Sequence, residues 1–379
     1  MNSDEVVRER LGRVLDPELG TSIVELGMVG DIIVDDQGHA RIGVALTTAA
    51  CPLRAQIERD VREAALSLDA VTSVEVEVAV MDAPARRELM RRARAAAQRR
   101  APETSIPPQV PVLMVASGKG GVGKSSVAAN LASALAATGL TVGVLDADVW
   151  GFSLSRLLGV RGEVEARAGK MVPREREMGD GRVRLLSMGL LADADEALMW
   201  RGLVIQKAVA QFIEDADWSG VDYFVVDTPP GTGDVVMTLA RLLPQMGQLV
   251  VTTPAPAAQQ VAARAADFAR KSNIRVLGVI ENMSALVCEC GERHALFGEG
   301  GGRRLADDLG VPLLAEIALS PEMSHSGDTG DPVALHEAPG GVFTSLAQRI
   351  LTEVAPPPGA LGCSARLLDA VNRSVEVLA

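Results

Sequence analysis

The chain has 379 residues, 47% hydrophobic and 3% aromatic, and carries a formal net charge of −12. An acidic protein with so few rings offers neither a basic footprint nor stacking platforms, which argues against nucleic acid as a partner. No apolar run reaches the length of a membrane span and the Met1-Asn-Ser-Asp-Glu start is acidic, unlike a signal peptide, so the expected setting is the cytoplasm, off the membrane.

The length suits more than one core. Residues 1–82 read as a small α/β domain: a helix from about Asp4 to Val14, strands at Asp31–Val34 and Ala40–Leu46, a helix from Leu53 to Leu66 and a strand from Val71 to Val80. Asp35-Asp36-Gln37-Gly38 marks a hairpin between the first two strands. Residues 83–110 change character, with Arg86, Arg87, Arg91, Arg92, Arg94, Arg99 and Arg100 in an Ala-rich stretch closed by Pro102 and Pro107-Pro108. This reads as a basic helical linker, a solvated spacer first and an anionic docking surface second.

From Pro111 apolar runs alternate with helical stretches: Val112–Ala116, Val142–Leu145, Val183–Leu186, Tyr223–Val226, Leu249–Thr252, Val276–Ile280 and Leu313–Ile317. Continuous apolar runs are strands buried on both faces, and β–α alternation predicts a doubly wound, mainly parallel sheet over residues 111–354 with ligands at the strand carboxyl ends. Residues 355–379, opened by Pro356-Pro357-Pro358-Gly359, form a C-terminal tail.

The motifs fall at those carboxyl ends. Gly118-Lys-Gly-Gly-Val-Gly-Lys-Ser125 follows the first strand of the large domain and precedes a helix. In a phosphate-binding loop the glycines let successive N–H groups turn inward and the helix N-terminus adds its dipole, so Lys124 would meet the β- and γ-phosphates and Ser125 a Mg²⁺ ion. Only five of the 37 basic residues are lysines, and two of them, Lys119 and Lys124, stand in this loop. Asp146-Ala147-Asp148 closes the next strand, where two carboxylates can hold metal-bound water, orient the attacking water or cap a helix. Asp227 closes Tyr223–Val226 and opens Thr228-Pro-Pro-Gly-Thr-Gly-Asp234, a loop able to sense a γ-phosphate through an outer-shell Mg²⁺ carboxylate. Asn282 is expected to end its own strand, where a simple Asn turn would suit it.

Four cysteines at uneven spacing in a reducing compartment point to thiolate or metal chemistry before disulfides. Cys288-Glu289-Cys290 can ligate an iron–sulfur cluster, or zinc together with His294. Cys51, just before the helix from Leu53, is either a thiolate with a lowered pKa or a small buried hydrophobe. Cys363 reads as incidental.

Taken together, Gly118–Ser125, Asp-Ala-Asp, Asp-Thr-Pro-Pro-Gly-Thr-Gly-Asp and Glu281-Asn282-Met283-Ser284 resemble the Mrp/ApbC family of iron–sulfur cluster carrier ATPases, within the deviant P-loop group of MinD, ParA and the nitrogenase iron protein. Asp16-Pro17-Glu18 and Thr47-Thr-Ala-Ala-Cys-Pro52 resemble the small cluster-assembly domain of that family. The resemblance implies a homodimeric, Mg²⁺-dependent ATPase that binds a [4Fe–4S] cluster at its dimer interface and transfers it to apo iron–sulfur proteins. It implies that Gly118, Lys119, Gly120, Gly121, Val122, Gly123, Lys124, Ser125 and Ser126 bind ATP, with Lys119 reaching the phosphates of the facing subunit. Ser125 and Asp227 would serve Mg²⁺, Asp148 would lie in the first switch, Asp227 in the second, and Asn282 would meet adenine. Cys288 and Cys290 would hold the cluster, although the family's Cys-x-x-Cys is here one residue shorter. A positioning or partitioning ATPase of the MinD/ParA kind is the alternative, as is a zinc- or thiol-dependent ATPase of the same fold. The positioning role calls for a membrane-targeting helix or a basic surface, and Leu367–Leu378, weakly amphipathic with one Arg and no aromatic residue, suits a membrane poorly.

Overall fold

The computed structural model describes residues 3–17, 19–47, 53–100, 104–148, 151–191, 202–231, 233–288, 292–337 and 339–356, with residues 94, 97–100, 202 and 203 described by their backbone alone. Two compact units divide near residue 100.

The first unit runs α1 (Ser3–Leu11), β1 (Val29–Val34), β2 (His39–Leu46), α2 (Arg54–Leu66), β3 (Ser73–Val80) and α3 (Ala83–Arg100). β1 and β2 form the expected antiparallel hairpin, and the α2 crossover returns β3 parallel to β2. Strict alternation along β2 sends Ala40, Ile42, Val44 and Leu46 into the core. There they meet Val7 and Leu11 of α1 and Ile57, Val61 and Ala65 of α2. The Arg-rich stretch is helical as expected, but not solvated all round. Leu89 and Ala93 of α3 are buried in this same core, so one face of the helix packs while Arg86, Arg87 and Arg91 lie exposed.

The second unit comprises β4 (Val112–Ser117), α4 (Lys124–Ala136), β5 (Thr141–Asp146), α5 (Leu154–Leu157), β6 (Glu165–Arg167), β7 (Lys170–Val172), β8 (Arg174–Met178), β9 (Gly181–Leu186) and α6 (Gly202–Glu214). It continues with β10 (Tyr223–Asp227), α7 (Gly233–Leu242), β11 (Gly247–Thr252), α8 (Pro256–Lys271), β12 (Arg275–Val287), β13 (Arg293–His294), α9 (Gly301–Leu309), β14 (Leu313–Leu319), α10 (Pro321–Thr329) and α11 (Gly341–Arg349). All seven expected strands pair in parallel, in the order β14-β12-β11-β4-β10-β5-β9. β8 and β13 add antiparallel edges on β9 and β12.

The apolar strands are explained by two cores, one on each face of the sheet. Along β10, Phe224 and Val226 enter one core and Tyr223 and Val225 the other; Val112 and Met114 of β4 likewise oppose Leu113 and Val115. The first core takes Phe212, Leu239, Ala262 and Leu305, and Trp218 stands edge-on to Phe224 with ring centroids 4.7 Å apart. The Trp218 indole N–H donates to the Phe212 carbonyl at 2.7 Å. The second core takes Val127, Leu131 and Leu135 of α4 with Phe343 and Leu346 of α11. The small Ala128, Ala129, Ala132 and Ala136 let α4 be buried on nearly every side.

β4 lies between β10 and β11, and the chain leaves it in one direction through β5 and in the other through β11. This reversal is a topological switch point, where the loops after neighbouring strands part and leave a crevice at their carboxyl ends.

Candidate functional site

The loop from Gly118 to Gly123 fills that crevice. Gly121 and Gly123 hold φ of 78° and 77°, a left-handed backbone that side chains disfavour. Gly118 is needed for a different reason: a Cβ there would lie 2.2 Å from the Val261 carbonyl carbon of α8. The loop ends directly in α4, so backbone donors and the helix N-terminus face the same point, an arrangement suited to phosphate.

Two of its side chains are already engaged. Lys124 is 6% exposed and its Nζ donates to Asp227 Oδ1, at the end of β10, while Ser125 Oγ lies 3.3 Å from the same ammonium. Asp227 is fully buried, and its Oδ2 has no hydrogen-bond partner of acceptable geometry. Burial pushes its carboxyl upward, against the pull of the Lys124 charge and the Ser125 hydroxyl. A buried carboxylate oxygen without a donor, beside a serine hydroxyl, fits a hydrated divalent cation.

Asp146 stands in register beside Asp227 on the adjoining β5 and is equally buried. Burial and the neighbouring Asp227 charge push its carboxyl up to about 7, although four donors reach the carboxylate. These are the Ser153, Leu154 and Asp148 backbone N–H groups at 3.0, 3.1 and 3.3 Å and the Ser187 hydroxyl at 3.1 Å. Asp146 therefore ties the loop after β5 to the start of α5, the capping role that the sequence left open. Asp148 takes a different place: it is half-buried and accepts the Gly151 N–H at 3.1 Å. Asp227 thus has two carboxylate neighbours: Asp146 in register beside it, and Asp148, whose charge also raises the Asp227 carboxyl. Thr228 was also missed; both its N–H and its hydroxyl bond the Val115 carbonyl, at 3.2 and 3.0 Å, and so anchor the loop after Asp227 to β4. Thr232 of that loop lies outside the described residues, and the loop is short because α7 begins at Gly233.

Lys119 is exposed, and the Ser117 hydroxyl donates to its carbonyl at 3.0 Å. Gly120 and the buried Val122 complete the turn, and Ser126 lies in the first turn of α4.

Asn282 departs from expectation. Its strand does not end there but runs on to Val287, bending at Met283, whose φ is 55°. The Asn282 side chain is buried and donates from Nδ2 to the Val122 carbonyl at 2.9 Å, so it stitches β12 to the underside of the phosphate loop. Glu281 beside it is buried, its carboxyl raised mainly by that burial, and it accepts the Gly302 N–H at the start of α9.

β12 then delivers the cysteine hairpin. Leu286 pairs His294 and Val287 pairs Arg293, and the Cys288 N–H donates to the Glu292 carbonyl at 3.0 Å. The Cys288 sulfur is disulfide-bonded, so it can ligate metal only after reduction. Cys290, Cys51 and Cys363 lie outside the described residues, as does the tail from residue 357. Among the described residues no helix is long and apolar enough to cross a membrane.

Known proteins share these features. Residues 110–355 match the family model of the NUBPL iron-transfer P-loop NTPases, and residues 4–78 match that of an iron–sulfur cluster assembly protein. The iron–sulfur cluster carrier protein of Mycobacterium leprae is 39% identical over 352 residues, 90% of each chain. That of Deinococcus radiodurans is 42% identical over 342 residues, covering 88% of this chain and 89% of its own. A solved nucleotide-binding protein of Archaeoglobus fulgidus, in complex with ADP and with cobalt found in it, is 32% identical with a TM-score of 0.51, over 60% of this chain and 89% of its own.

Proposed function

The chain belongs to the NUBPL iron-transfer P-loop NTPase family, and we propose that it is a homodimeric, Mg²⁺-dependent ATPase that carries an iron–sulfur cluster and delivers it to apo iron–sulfur proteins in the cytoplasm. The observation that carries this reading is a single strand. β12 holds Asn282 against the phosphate loop and, six residues later, presents Cys288. With one bend at Met283, these six residues span at most roughly 20 Å, so a shift of the loop on nucleotide turnover has a direct mechanical route to the hairpin.

ATP is bound by the backbone of Gly118 to Ser126. Lys124 exchanges Asp227 for the transferring phosphate, and Lys119 from the facing subunit supplies a second cation. Ser125, and Asp227 through water, would hold a magnesium ion, which would neutralise phosphate charge. Asp227, relieved of Lys124, passes the change to the loop that Thr228 anchors, and Asp148 senses it from the neighbouring loop. The observed bond between Asn282 and Val122 favours a role in positioning the loop over direct reading of adenine.

The cluster is cargo. Two hairpins related by a two-fold axis would offer Cys288 and Cys290 twice, the four thiolates that a [4Fe–4S] cluster takes. The match of residues 4–78 to a cluster-assembly protein supports a carrier over a positioning ATPase; Cys51 is the thiolate that unit would bring. Anaerobic reconstitution of the reduced protein with iron and sulfide tests the reading. One cluster per dimer, with ATP-stimulated transfer to an apoprotein, is expected; ATP hydrolysis with no iron chromophore would overturn it.

A further inference from the structure

The hairpin that carries Cys288 also places two other kinds of metal donor beside it. Cys288 opposes Glu292 across the hairpin, and Leu286 opposes His294. Strand alternation puts Cys288, Glu292 and His294 on one face and Val287 and Arg293 on the other. The Cys288 sulfur, a Glu292 carboxylate oxygen and a His294 ring nitrogen all lie within 4.8 Å of one another. His294 Nε2 is 3.9 Å from Glu292 Oε2. Donors around a tetrahedral ion stand roughly 3.3–3.8 Å apart, given bonds of about 2.0–2.3 Å. The side chains of His294 and Glu292 are 45% and 71% exposed, so small rotations can close the remaining distance.

We propose that the reduced β12–β13 hairpin binds one divalent transition-metal ion per chain through Cys288, His294 and Glu292. The donor set selects the ion class. A thiolate and an imidazole disfavour Mg²⁺ and Ca²⁺, whereas sulfur, nitrogen and oxygen together suit Zn²⁺, Fe²⁺ or Co²⁺. Three protein donors leave a fourth position open to water or to an incoming ligand. The site goes beyond cluster carriage: it is complete within one chain, needs no symmetry mate and shares only Cys288 with the bridging cluster. It is also gated by redox state. The disulfide at Cys288 must first be reduced to two thiols: two reductant thiols supply two electrons and two protons and leave as their own disulfide, or a phosphine supplies two electrons and becomes its oxide while water supplies the oxygen and both protons. The metal ion then displaces the thiol proton and binds the thiolate.

Co²⁺ is the probe. The full-length protein, reduced with a phosphine and freed of metal, is titrated with Co²⁺ while thiolate-to-cobalt charge-transfer absorption is followed. One ion per chain is expected, and the unreduced protein should show no such band. His294→Ala and Glu292→Gln, both at exposed positions, should each weaken Co²⁺ binding by roughly a hundredfold, at or above the loss seen for outer-shell partners. Both variants should still reconstitute the iron–sulfide chromophore. Unchanged Co²⁺ affinity in the His294→Ala/Glu292→Gln double variant, or equal binding without reduction, would overturn the site. Failure of cluster reconstitution alongside normal Co²⁺ binding would sink the carrier reading and leave this site standing.

Discussion

The phosphate loop and the cysteine hairpin both follow strands of one sheet, yet they hold their chemistry in opposite ways. At the loop, charges are buried and committed: Lys124 is paired with Asp227, Asp227 stands beside Asp146, and donors from Ser153, Leu154 and Ser187 fix the geometry. At the hairpin, Glu292 and His294 lie exposed, and register alone brings them to Cys288. The difference teaches what each site is built to do. A preorganised buried site stabilises developing charge; an exposed, loosely held donor set can take a ligand and release it.

The largest expected effect strikes the buried site. Lys124→Ala should lower ATP hydrolysis by about 10²- to 10³-fold, as loss of a preorganised stabiliser does, and phosphate release measures it; undiminished turnover would break the comparison. At the hairpin, Cys288→Ser or Cys290→Ser should abolish the reconstituted cluster chromophore while ATP binding persists, since among the described residues no hydrogen bond joins the hairpin to the phosphate loop. Lys119→Ala should also impair hydrolysis, and mixing it with Lys124→Ala protein should restore part of the activity if the lysine acts across the dimer. No recovery at any ratio, with subunit exchange verified, would count against that role.

A smaller effect is expected where the two sites join. Asn282→Ala removes one hydrogen bond between β12 and the loop, worth about 0.5–1.5 kcal/mol, so ATP affinity should fall by roughly 2- to 10-fold. If the strand couples the sites, ATP-stimulated cluster release should weaken as well, whereas a purely local contact would leave release unchanged.

A further effect, read as stability, concerns pH. The folded-state pKa of Asp146 is raised to about 7, chiefly by burial, above the ordinary carboxylate value of 3.8. The folded protein therefore holds a proton that the unfolded chain loses, and stability from this group is present in acid and declines as pH rises from about 4 to about 7. Asp146→Asn cannot titrate, so the loss of stability between pH 5 and pH 8 should be smaller in the variant, by on the order of 1 kcal/mol or more. Denaturant unfolding at the two pH values reads it; an unchanged difference would exclude Asp146 as the titrating group.

What could be read from the sequence follows from how local each feature is. The seven parallel strands were legible because burial on both faces leaves continuous apolar runs such as Tyr223–Val226. β8, with Arg174, Glu175, Arg176 and Glu177, reads as surface; it is a strand because β9 offers an edge. The phosphate loop was legible because its chemistry is contiguous. Asp146 was not, because its meaning depends on alignment with Asp227 on a strand far along the chain. The bond of Asn282 to Val122 was not legible for the same reason: the two lie 160 positions apart. A strand expected to stop at Asn282 instead bends at Met283 and continues, since β14 and β13 still pair its distal half.

Trp218 has an optical consequence. It is one of three tryptophans, sealed in the core against Phe224 with its indole N–H bonded to Phe212. Its emission should be blue-shifted and insensitive to aqueous quenchers as long as the fold holds. The other two are Trp150, two residues past Asp148, and Trp200. A nucleotide-dependent change in tryptophan fluorescence is therefore expected from those two positions, with Trp218 as an internal reference for integrity of the sheet.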